Sequence, residues 1–349
     1  MLKIDGSYGE GGGQIIRTAL ALSTITGKSF EAFNIRKGRK NSGLKAQHIH
    51  CIKALKELCD AKSKFAEMGS EKLVYEPGKI KGKTINIDIG TAGSVSLLLQ
   101  SLLIPCFFSN NPVRIKITGG TSGKWAMPYD FFYNVFVPQI RKYCSKIETK
   151  LIRRGYYPKG GGKIDIKIIP LKDKTNFPKF NSINQENLIQ IKGISHASNF
   201  LEKAQVAERQ ARSAGLLLNK FEVPVNIQTE YADTLCPGSG IVLWAIFSKD
   251  PDEIDIYNPI QLGADALGER GKPAEEVGKE ASNKLIEEIE SKAPVDSHTA
   301  DNLIPFLALF GGQIKVSQIT NHTKTNIWIC EQFLDKKFEI DKENRIIRV

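Results

Sequence analysis

Three segments of this chain share one pattern of residues. Each begins with small or polar residues, continues into an apolar helix of about 12 to 15 residues and ends in a turn followed by an alternating strand. They read GEGGGQIIRTALALSTITGKSFEAFNI, GTAGSVSLLLQSLLIPCFFSNNPVRIKI and DSHTADNLIPFLALFGGQIKVSQI. The repetition predicts that one structural unit is used three times along the chain.

Further periodic segments extend this unit. Apolar residues three and four positions apart predict helices at 44–58, 129–145 and 275–291. Alternating residues predict strands at 84–89, 113–118, 162–169 and 313–319. Strands and helices therefore alternate, but hairpin-like pairs argue against a purely parallel sheet, so an α+β fold is expected.

The spacing of the repeats is broken once. Residues 171–186 are polar and turn-rich, and a new strand and helix follow before Gly271 and Pro273. A chain of 349 residues also exceeds the usual size of a single core. We therefore expect a core of residues 1–184 and 274–349 with a smaller α/β domain inserted at 185–273.

The chain is basic. Its 49 Lys and Arg residues against 38 Asp and Glu residues give a formal net charge of +11, which favours polyanionic partners. Five of the basic residues lie in RKGRKNSGLK, residues 36–45, which contains no acid. This segment is either an anion-binding site or a solvated basic turn, and charge alone does not separate the two.

Cysteine usage and the N-terminus indicate a cytoplasmic protein. The six cysteines are scattered without a CxxC pair, which suits reduced, buried thiols. Residues 1–10 do not resemble a signal sequence. The apolar run 94–108 is interrupted by Ser, Gln and Pro and is shorter than the ~20 residues of a membrane span, so it predicts a buried core helix and no membrane partner.

The first glycine-rich stretch, GSYGEGGGQIIR, has one feature that argues against a phosphate-binding loop and others that favour an anion site. It lacks the lysine of a standard phosphate loop, but backbone N–H groups at the start of a helix attract anions, and Arg17 lies one turn in. Glu10 would repel a phosphate unless a divalent cation lay between them, which points to Mg²⁺. The alternative is a plain turn with a capping acid.

Two other polar segments have competing interpretations. RRGYYPKGGGK, residues 153–163, either approaches phosphate or forms a tight turn that needs positive φ, and the turn is favoured. His48 and His50 do not face together on a helix, which excludes them as a pair of metal ligands. His322 is a candidate nucleophile, because no Ser, Cys or Lys nucleophile motif is evident, although a lone histidine is more often an ordinary surface residue.

The motifs taken together resemble the RNA 3′-terminal phosphate cyclase family, in its catalytic archaeal and bacterial form. The resemblance rests on GEGGGQIIR, IRKGR, TAGS with the Gln of LLLQ, GGTSGKWAMP and above all RGYYPKGGG, with HTADN and NHTKTN towards the C-terminus. It covers nearly the whole chain. It implies three βαβαββ units, akin to the enolpyruvyl transferases, with a smaller α/β domain inserted before the third.

The resemblance also implies an activity and its residues. The expected reaction is the ATP-dependent conversion of an RNA 3′-phosphate to a 2′,3′-cyclic phosphodiester, through an AMP carried by His322 and an RNA-adenylate. Glu10 is the expected ligand of Mg²⁺ or Mn²⁺. The expected RNA-end residues are Arg17, Arg36, Arg39 and Gln47. The expected ATP-binding residues are Gln100, Pro128, His298, Thr299, Ala300, Asp301 and Asn302. His298 departs from the family, since many relatives have a tyrosine there.

Two other functions stay open on the sequence. A non-catalytic scaffold in RNA processing or ribosome assembly would bind RNA without a covalent AMP, and an enolpyruvyl-type transferase would act on a small phosphorylated acid without ATP. His322 favours the cyclase, because relatives that act without cyclase activity lack this histidine. The expected partner is RNA with a 3′-phosphate end, with possible homo-oligomerisation.

Overall fold

The computed structural model describes residues 1–250, 253, 255 and 258–349. The first sheet has the order β1-β2-β4-β3, in which β1 and β2 are parallel and the other neighbours are antiparallel. Parallel neighbours need a crossover connection, which α1 supplies. The elements of this unit are β1 (Leu2–Asp5), α1 (Gln14–Thr26), β2 (Phe30–Phe33), α2 (Ala46–Cys59), β3 (Lys62–Lys64) and β4 (Leu73–Glu76).

The second sheet has the same arrangement, with the order β5-β6-β8-β7 and only β5 and β6 parallel. Its second helical segment, predicted as one helix at 129–145, is irregular before Pro138, which has no amide proton to donate. The elements are β5 (Thr84–Asp88), α3 (Val95–Phe107), β6 (Val113–Gly119), α4 (Tyr129–Phe131), a π-helical turn (Phe132–Phe136), α5 (Val137–Ile140), a 3₁₀ turn (Arg141–Tyr143), β7 (Lys146–Arg153) and β8 (Gly162–Ile169).

The chain then starts a third sheet with β9 (Phe180–Ser182) and leaves it to form a separate sheet of order β11-β10-β12-β13. In this inserted sheet β10 and β11 are parallel. Two helices cover it, and they share a buried apolar cluster with it. The elements are β10 (Asn187–Ser198), α6 (Val206–Leu218), β11 (Val225–Ala232), β12 (Ser239–Ser248), β13 (Ile260–Leu267) and α7 (Ala274–Glu290), with 3₁₀ turns at Asn199–Ala204 and Asn219–Phe221.

The remaining chain returns to the third sheet, whose order is β9-β14-β16-β15 with β9 and β14 parallel. Its elements are α8 (Ser297–Phe310), β14 (Gly312–Lys315), α9 (Asn321–Phe333), β15 (Glu339–Asp341) and β16 (Ile346–Arg348). The strand predicted at 313–319 is therefore shorter than expected. The polar residues after it begin a helix, which places His322 in a first helical turn.

The centre of the molecule is a layer of helices. α1 packs against α3 and α9, and α8 packs against α9. The apolar run predicted as a buried core helix is α3, where the Ser94 hydroxyl accepts from the Leu97 N–H at 3.4 Å and caps the start. All six cysteines are buried and free. The central helices therefore bring elements of all three similar sheets together.

The mixed α+β architecture expected from the sequence is confirmed. The expected division into 1–184 with 274–349 and an insert at 185–273 stays a prediction. Within that division α7 falls on the core side by sequence, but it packs on β12, β13 and α6. Among the described residues, no helix has the length and apolar character needed to cross a membrane.

Candidate active site

The imidazole of His322 lies half-exposed in the first turn of α9. Thr320 is the N-cap of this helix, and its hydroxyl accepts from the Thr323 N–H at 2.9 Å. Nε2 of His322 lies 3.4 Å from Oε2 of Glu10, which belongs to the first glycine-rich loop. A helix N-terminus presents unpaired N–H groups and a positive dipole end, so this histidine lies where an anionic ligand is favoured.

The glycine-rich loop is held against α9 by packing. The Tyr8 ring stacks on the Trp328 ring with centroids 4.0 Å apart and an angle of 11° between planes. Gly9 has φ +58°, and a Cβ there would come within 2.8 Å of Thr325 Oγ1. The loop can therefore approach α9 this closely only with glycine at that position.

The carboxylate of Asp301 holds the start of α9 in place. Its Oδ1 accepts from the hydroxyls of Thr320 and Thr323, both at 2.6 Å. Burial raises the pKa of this carboxyl, while the two threonine hydrogen bonds and the charge of His322 oppose the rise. Asp301 thus reaches the residues on either side of His322 and holds them in place.

Three of the predicted residues form one chain of hydrogen bonds across three helices. Arg17 Nε on α1 donates to Gln100 Oε1 on α3 at 2.7 Å. Gln100 Nε2 donates to Asn302 Oδ1 on α8, also at 2.7 Å. Burial lowers the pKa of Arg17 to about 10, so its guanidinium stays charged at neutral pH. The structure therefore brings residues predicted for ATP and residues predicted for the RNA end into direct contact.

The basic segment 36–45 places two more guanidinium groups beside this loop. Arg39 Nη2 lies 3.4 Å from Glu10 Oε2, and Arg39 Nε donates to the Glu10 carbonyl at 3.1 Å. In the part of the chain that the structure describes, the buried Nε of Arg36 has no hydrogen-bond partner. Burial and the nearby charge of Arg39 lower the pKa of Arg36. A buried donor without a partner is costly, so an anion would satisfy it.

The other predicted residues surround this centre. Gln47 Nε2 donates to the Ser94 carbonyl at 3.2 Å. Pro128 is the N-cap of α4. His298 is exposed at the start of α8, with its ring edge-on to Phe131 at 6.3 Å. Thr299 donates its N–H and hydroxyl to the buried carboxylate of Asp296 at 2.7 and 2.8 Å, and Ala300 is buried, so both serve the packing of α8.

Several residues near the centre were not predicted for the site. His48 is buried beside Gly13, where a Cβ would overlap its ring. The Lys45 N–H donates to its Nδ1 at 2.9 Å, and burial followed by the charge of Arg17 lowers its pKa to about 3. Asn326 on α9 accepts from Thr18 on α1 at 2.8 Å. A polar residue on the apolar side of a helix is the pattern that could have identified His48, whereas Asn326 follows five polar residues and is not marked by such a pattern.

A divalent cation can be tested against the donor set. Within residues 1–250, 253, 255 and 258–349, no group of three or more His, Cys, Asp or Glu side chains is placed to hold a metal ion. Glu10 therefore stands as a single carboxylate. Mg²⁺ commonly takes one or two carboxylates, several waters and the phosphates of its substrate. The donor set fits that mode and does not fit an all-protein cage.

The segment RGYYPKGGG connects the second unit to the inserted sheet. It forms the turn between β7 and β8 that was favoured from the sequence, with positive φ at Gly160 and Gly161. Arg154 is buried and donates to Asp130 on α4 and to Glu230 on β11. The Tyr156 hydroxyl hydrogen-bonds Nδ1 of His196 on β10 at 2.7 Å. The segment therefore fastens the inserted sheet to the second unit.

A half-exposed histidine at a helix N-terminus, a single carboxylate and three clustered guanidinium groups are typical of an enzyme that handles phosphate groups. Comparison with known proteins gives the family. Residues 8–340 match the family model described as RNA 3′-terminal phosphate cyclase. The chain belongs to the RNA 3′-terminal phosphate cyclase family and is a ligase-type enzyme.

Three archaeal relatives named RNA 3′-terminal phosphate cyclase illustrate the similarity. The protein of Pyrococcus abyssi is 49% identical over 345 residues, which cover 98% of this chain and 96% of the relative. That of Pyrococcus furiosus is 47% identical over 340 residues, covering 97% and 95%. That of Thermococcus onnurineus is 46% identical over 344 residues, covering 98% and 96%.

Proposed function

We propose that this enzyme converts an RNA 3′-phosphate to a 2′,3′-cyclic phosphodiester at the expense of ATP, through an AMP bound to His322 and an RNA-adenylate. The observation that supports this most directly is the position of His322. Its imidazole is half-exposed at the N-terminus of α9, and Nε2 lies 3.4 Å from Oε2 of Glu10, beside the arginine cluster. These are the surroundings that a nucleophile for a charged phosphate ester needs.

In the first step Nε2 of His322 attacks the α-phosphorus of ATP. A P–N bond forms, the bond to pyrophosphate breaks, and the proton of the neutral imidazole stays on Nδ1. Backbone N–H groups of the first turn of α9 face the charge that develops on the phosphate oxygens. Glu10 would hold Mg²⁺ or Mn²⁺, which neutralises phosphate charge when bound.

Nucleotide binding is proposed for the chain of polar groups that starts at Gln100. Asn302 accepts from Gln100 and donates to the carbonyl of His298 at 2.8 Å. The exposed ring of His298 is free to stack on a base, a role that a tyrosine would fill equally well. The proposed nucleotide site is completed by Pro128, Thr299, Ala300 and Asp301. The last three of these residues act by supporting the start of α8 and of α9.

In the second step an oxygen of the RNA 3′-phosphate attacks the phosphorus of His322-bound AMP. The P–N bond breaks, its electron pair returns to Nε2, and the ring, which keeps its proton on Nδ1, leaves as a neutral imidazole. Arg17, Arg36 and Arg39, with Gln47, would hold the RNA phosphate, since guanidinium groups pair with phosphate oxygens bidentately. The partnerless Nε of Arg36 supports this assignment.

In the third step the ribose 2′-OH attacks the RNA phosphorus. The new P–O bond closes the ring, the bond to AMP breaks, and the hydroxyl proton is released. The hydroxyl and the phosphate are on the same sugar, so the step is intramolecular and needs little from the protein beyond orientation.

We also propose that the core consists of three copies of one βαβαββ unit, as in the enolpyruvyl transferases. The support is the common strand order of three of the four sheets, each with one parallel pair and two antiparallel pairs. The insert then begins after β9 and, on the packing of α7, extends to Glu290.

Labelling with ATP tests the reaction. The protein is incubated with Mg²⁺ and ATP labelled at the α-phosphorus, and acid-labile, alkali-stable label on the chain is measured. His322→Ala should abolish the label, while the control His50→Ala, which changes a histidine of α2, should keep it. Label on His322→Ala would contradict the assignment of the nucleophile. An unlabelled, folded wild type, with or without 3′-phosphorylated RNA, would favour the scaffold.

A further inference from the structure

A groove of about 700 Å³ lies between the second unit and the inserted sheet. One wall is β7 and the other is formed by β10 and β11. Both β7 and β11 are edge strands of their sheets. The buried guanidinium of Arg154 bonds to Asp130 on one side and Glu230 on the other, so the width of the groove is fixed by a stiff joint.

The groove surface combines aromatic rings with cations. Tyr133 is 48% exposed, and its ring stacks on Tyr129 with centroids 6.2 Å apart and 9° between planes. Lys150 and Arg153 contribute positive charge from β7. The acids Asp130 and Glu230 are paired with Arg154, which leaves Asp233 as a further acid of the lining. Exposed rings beside cations are the combination that single-stranded nucleic acids use.

A series of contacts connects the strand that lines the groove with the candidate active site. Arg153, which lines the groove, donates from Nε to the carbonyl of Gly161 at 2.8 Å, in the turn that follows β7. A Cβ on the neighbouring Gly160 would come within 2.5 Å of the Thr91 carbonyl, so this turn lies against the TAGS loop. The same loop accepts the hydrogen bond from Gln47 at Ser94. These contacts link β7 to Gln47, one of the residues predicted for the RNA end.

The turn itself presents an aromatic ring between the groove and the site. Tyr157 is 80% exposed, and Lys159 is exposed two residues later. The turn is anchored on both sides, by Arg153 and by Tyr156, so the exposure of the Tyr157 ring is a fixed feature of the surface. The ring is therefore available to stack on a base.

We propose that this groove binds the single-stranded RNA that precedes the terminal phosphate. Unpaired bases stack on Tyr157 and Tyr133, and backbone phosphates pair with Lys150 and Arg153. Stacking on rings requires free base faces but reads no sequence, so the groove selects single strands of any sequence. This inference rests on the proposed function, because it takes the 3′-phosphate end to lie at the arginine cluster.

Binding of RNA of two lengths tests the groove without any turnover. The affinity of a fluorescent 12-nucleotide RNA with a 3′-phosphate is measured by anisotropy, and that of a dinucleotide 3′-phosphate by competition. Loss of one stacked base corresponds to roughly a tenfold change in affinity. Tyr133→Ala should therefore weaken the longer RNA about tenfold and the dinucleotide less than twofold, and Tyr133→Phe should restore binding.

A change of charge on the groove surface provides a second test of the proposal. Lys150→Glu should weaken the longer RNA and make its affinity less dependent on salt, while Lys342→Glu, an exposed lysine after β15, should change neither. Equal loss for both lengths in Tyr133→Ala, no loss in either groove variant, or a wild type that binds both lengths equally would overturn the proposal. Absence of ATP label with intact length dependence would instead refute the proposed reaction and leave the groove standing.

Discussion

Replacing Arg154 by methionine should destabilise the joint between the second unit and the insert. The guanidinium donates to both oxygens of Asp130, at 2.6 and 3.1 Å, and to both oxygens of Glu230, at 2.7 and 3.1 Å. Burial alone would lower the pKa of Arg154, but the charge of Asp130 and the hydrogen bonds that Arg154 donates to both acids raise it. Methionine keeps most of the side-chain volume and removes the charge.

The two acids respond differently. The side chain of Asp130 is 5% exposed, so its carboxylate would be left buried and without its cation, which costs about 3 to 5 kcal/mol. The side chain of Glu230 is 43% exposed, so water can solvate its carboxylate. Glu230 therefore contributes little to the loss in the free energy of unfolding. The free energy of unfolding of Arg154→Met should therefore fall by about 3 to 5 kcal/mol at pH 8.

His196 makes this loss depend on pH. Its Nε2 lies 3.7 Å from Asp130 Oδ2, and burial followed by the charge of Arg154 holds its pKa well below the usual value. In the wild type the unfolded chain takes up this proton first, so stability falls as the pH drops below about 6.5. Without Arg154 the imidazole can protonate in the folded state and pair with Asp130. The deficit of the variant should therefore shrink between pH 8 and pH 5.5.

Urea unfolding at both pH values measures the effect. The matched control is the double variant Arg154→Met with Asp130→Asn, which removes both charges and should recover part of the stability, because no buried ion is left unpaired. A loss below about 1 kcal/mol at pH 8, the range of an exposed ion pair, would refute the reasoning. So would a deficit of equal size at pH 8 and pH 5.5.

Two further variants test the active-site surroundings. Asp301→Asn keeps an acceptor for both threonine hydroxyls but removes the charge. We expect the free energy of unfolding in urea to fall by about 1 to 2 kcal/mol and the labelling of His322 by ATP to become slower. An unchanged labelling rate would exclude a positioning role. His48 has a folded pKa of about 3 against an ordinary value of 6.5, so the unfolded chain binds its proton first and wild-type stability should fall by up to about 1.4 kcal/mol per pH unit below pH 6.5. His48→Gln should reduce that slope between pH 7 and pH 5, and an unchanged slope would mean that His48 is not buried neutral.

The sequence was most informative where the pattern was local. The run that became α3 is mostly apolar and is capped by Ser94, so both its existence and its burial were predictable. α9 was not predicted, because NHTKTNIWICEQF starts with six polar residues and its apolar side is short. The capping pair of Thr320 and Thr323 was a visible start signal for that helix. Boundary residues alone did not reveal a helix whose stability comes from packing on α1 and α8.

The contacts within the site could not be predicted from the sequence, for a different reason. Gln14 and His322 are 308 positions apart, as are Thr18 and Asn326, yet each pair is joined by a hydrogen bond. Periodicity reports which face of a helix is apolar, but it does not report which two helices meet. The glycine-rich loop could thus be recognised as a candidate anion site, whereas the placement of Glu10 beside His322 depends on the packing of α1 against α9.

The same packing explains why the site needs all three units. α1, α3 and α8 are the first helices of their units, and each contributes one residue to a single chain of polar side chains between the helices: Arg17, Gln100 and Asn302. Burying any of these groups alone would cost free energy, because its donors would lose water without gaining a partner. Together they satisfy one another along a chain of two hydrogen bonds. The polar groups proposed for the nucleotide and the RNA end are therefore accommodated between the helices in the arrangement that brings all three units together.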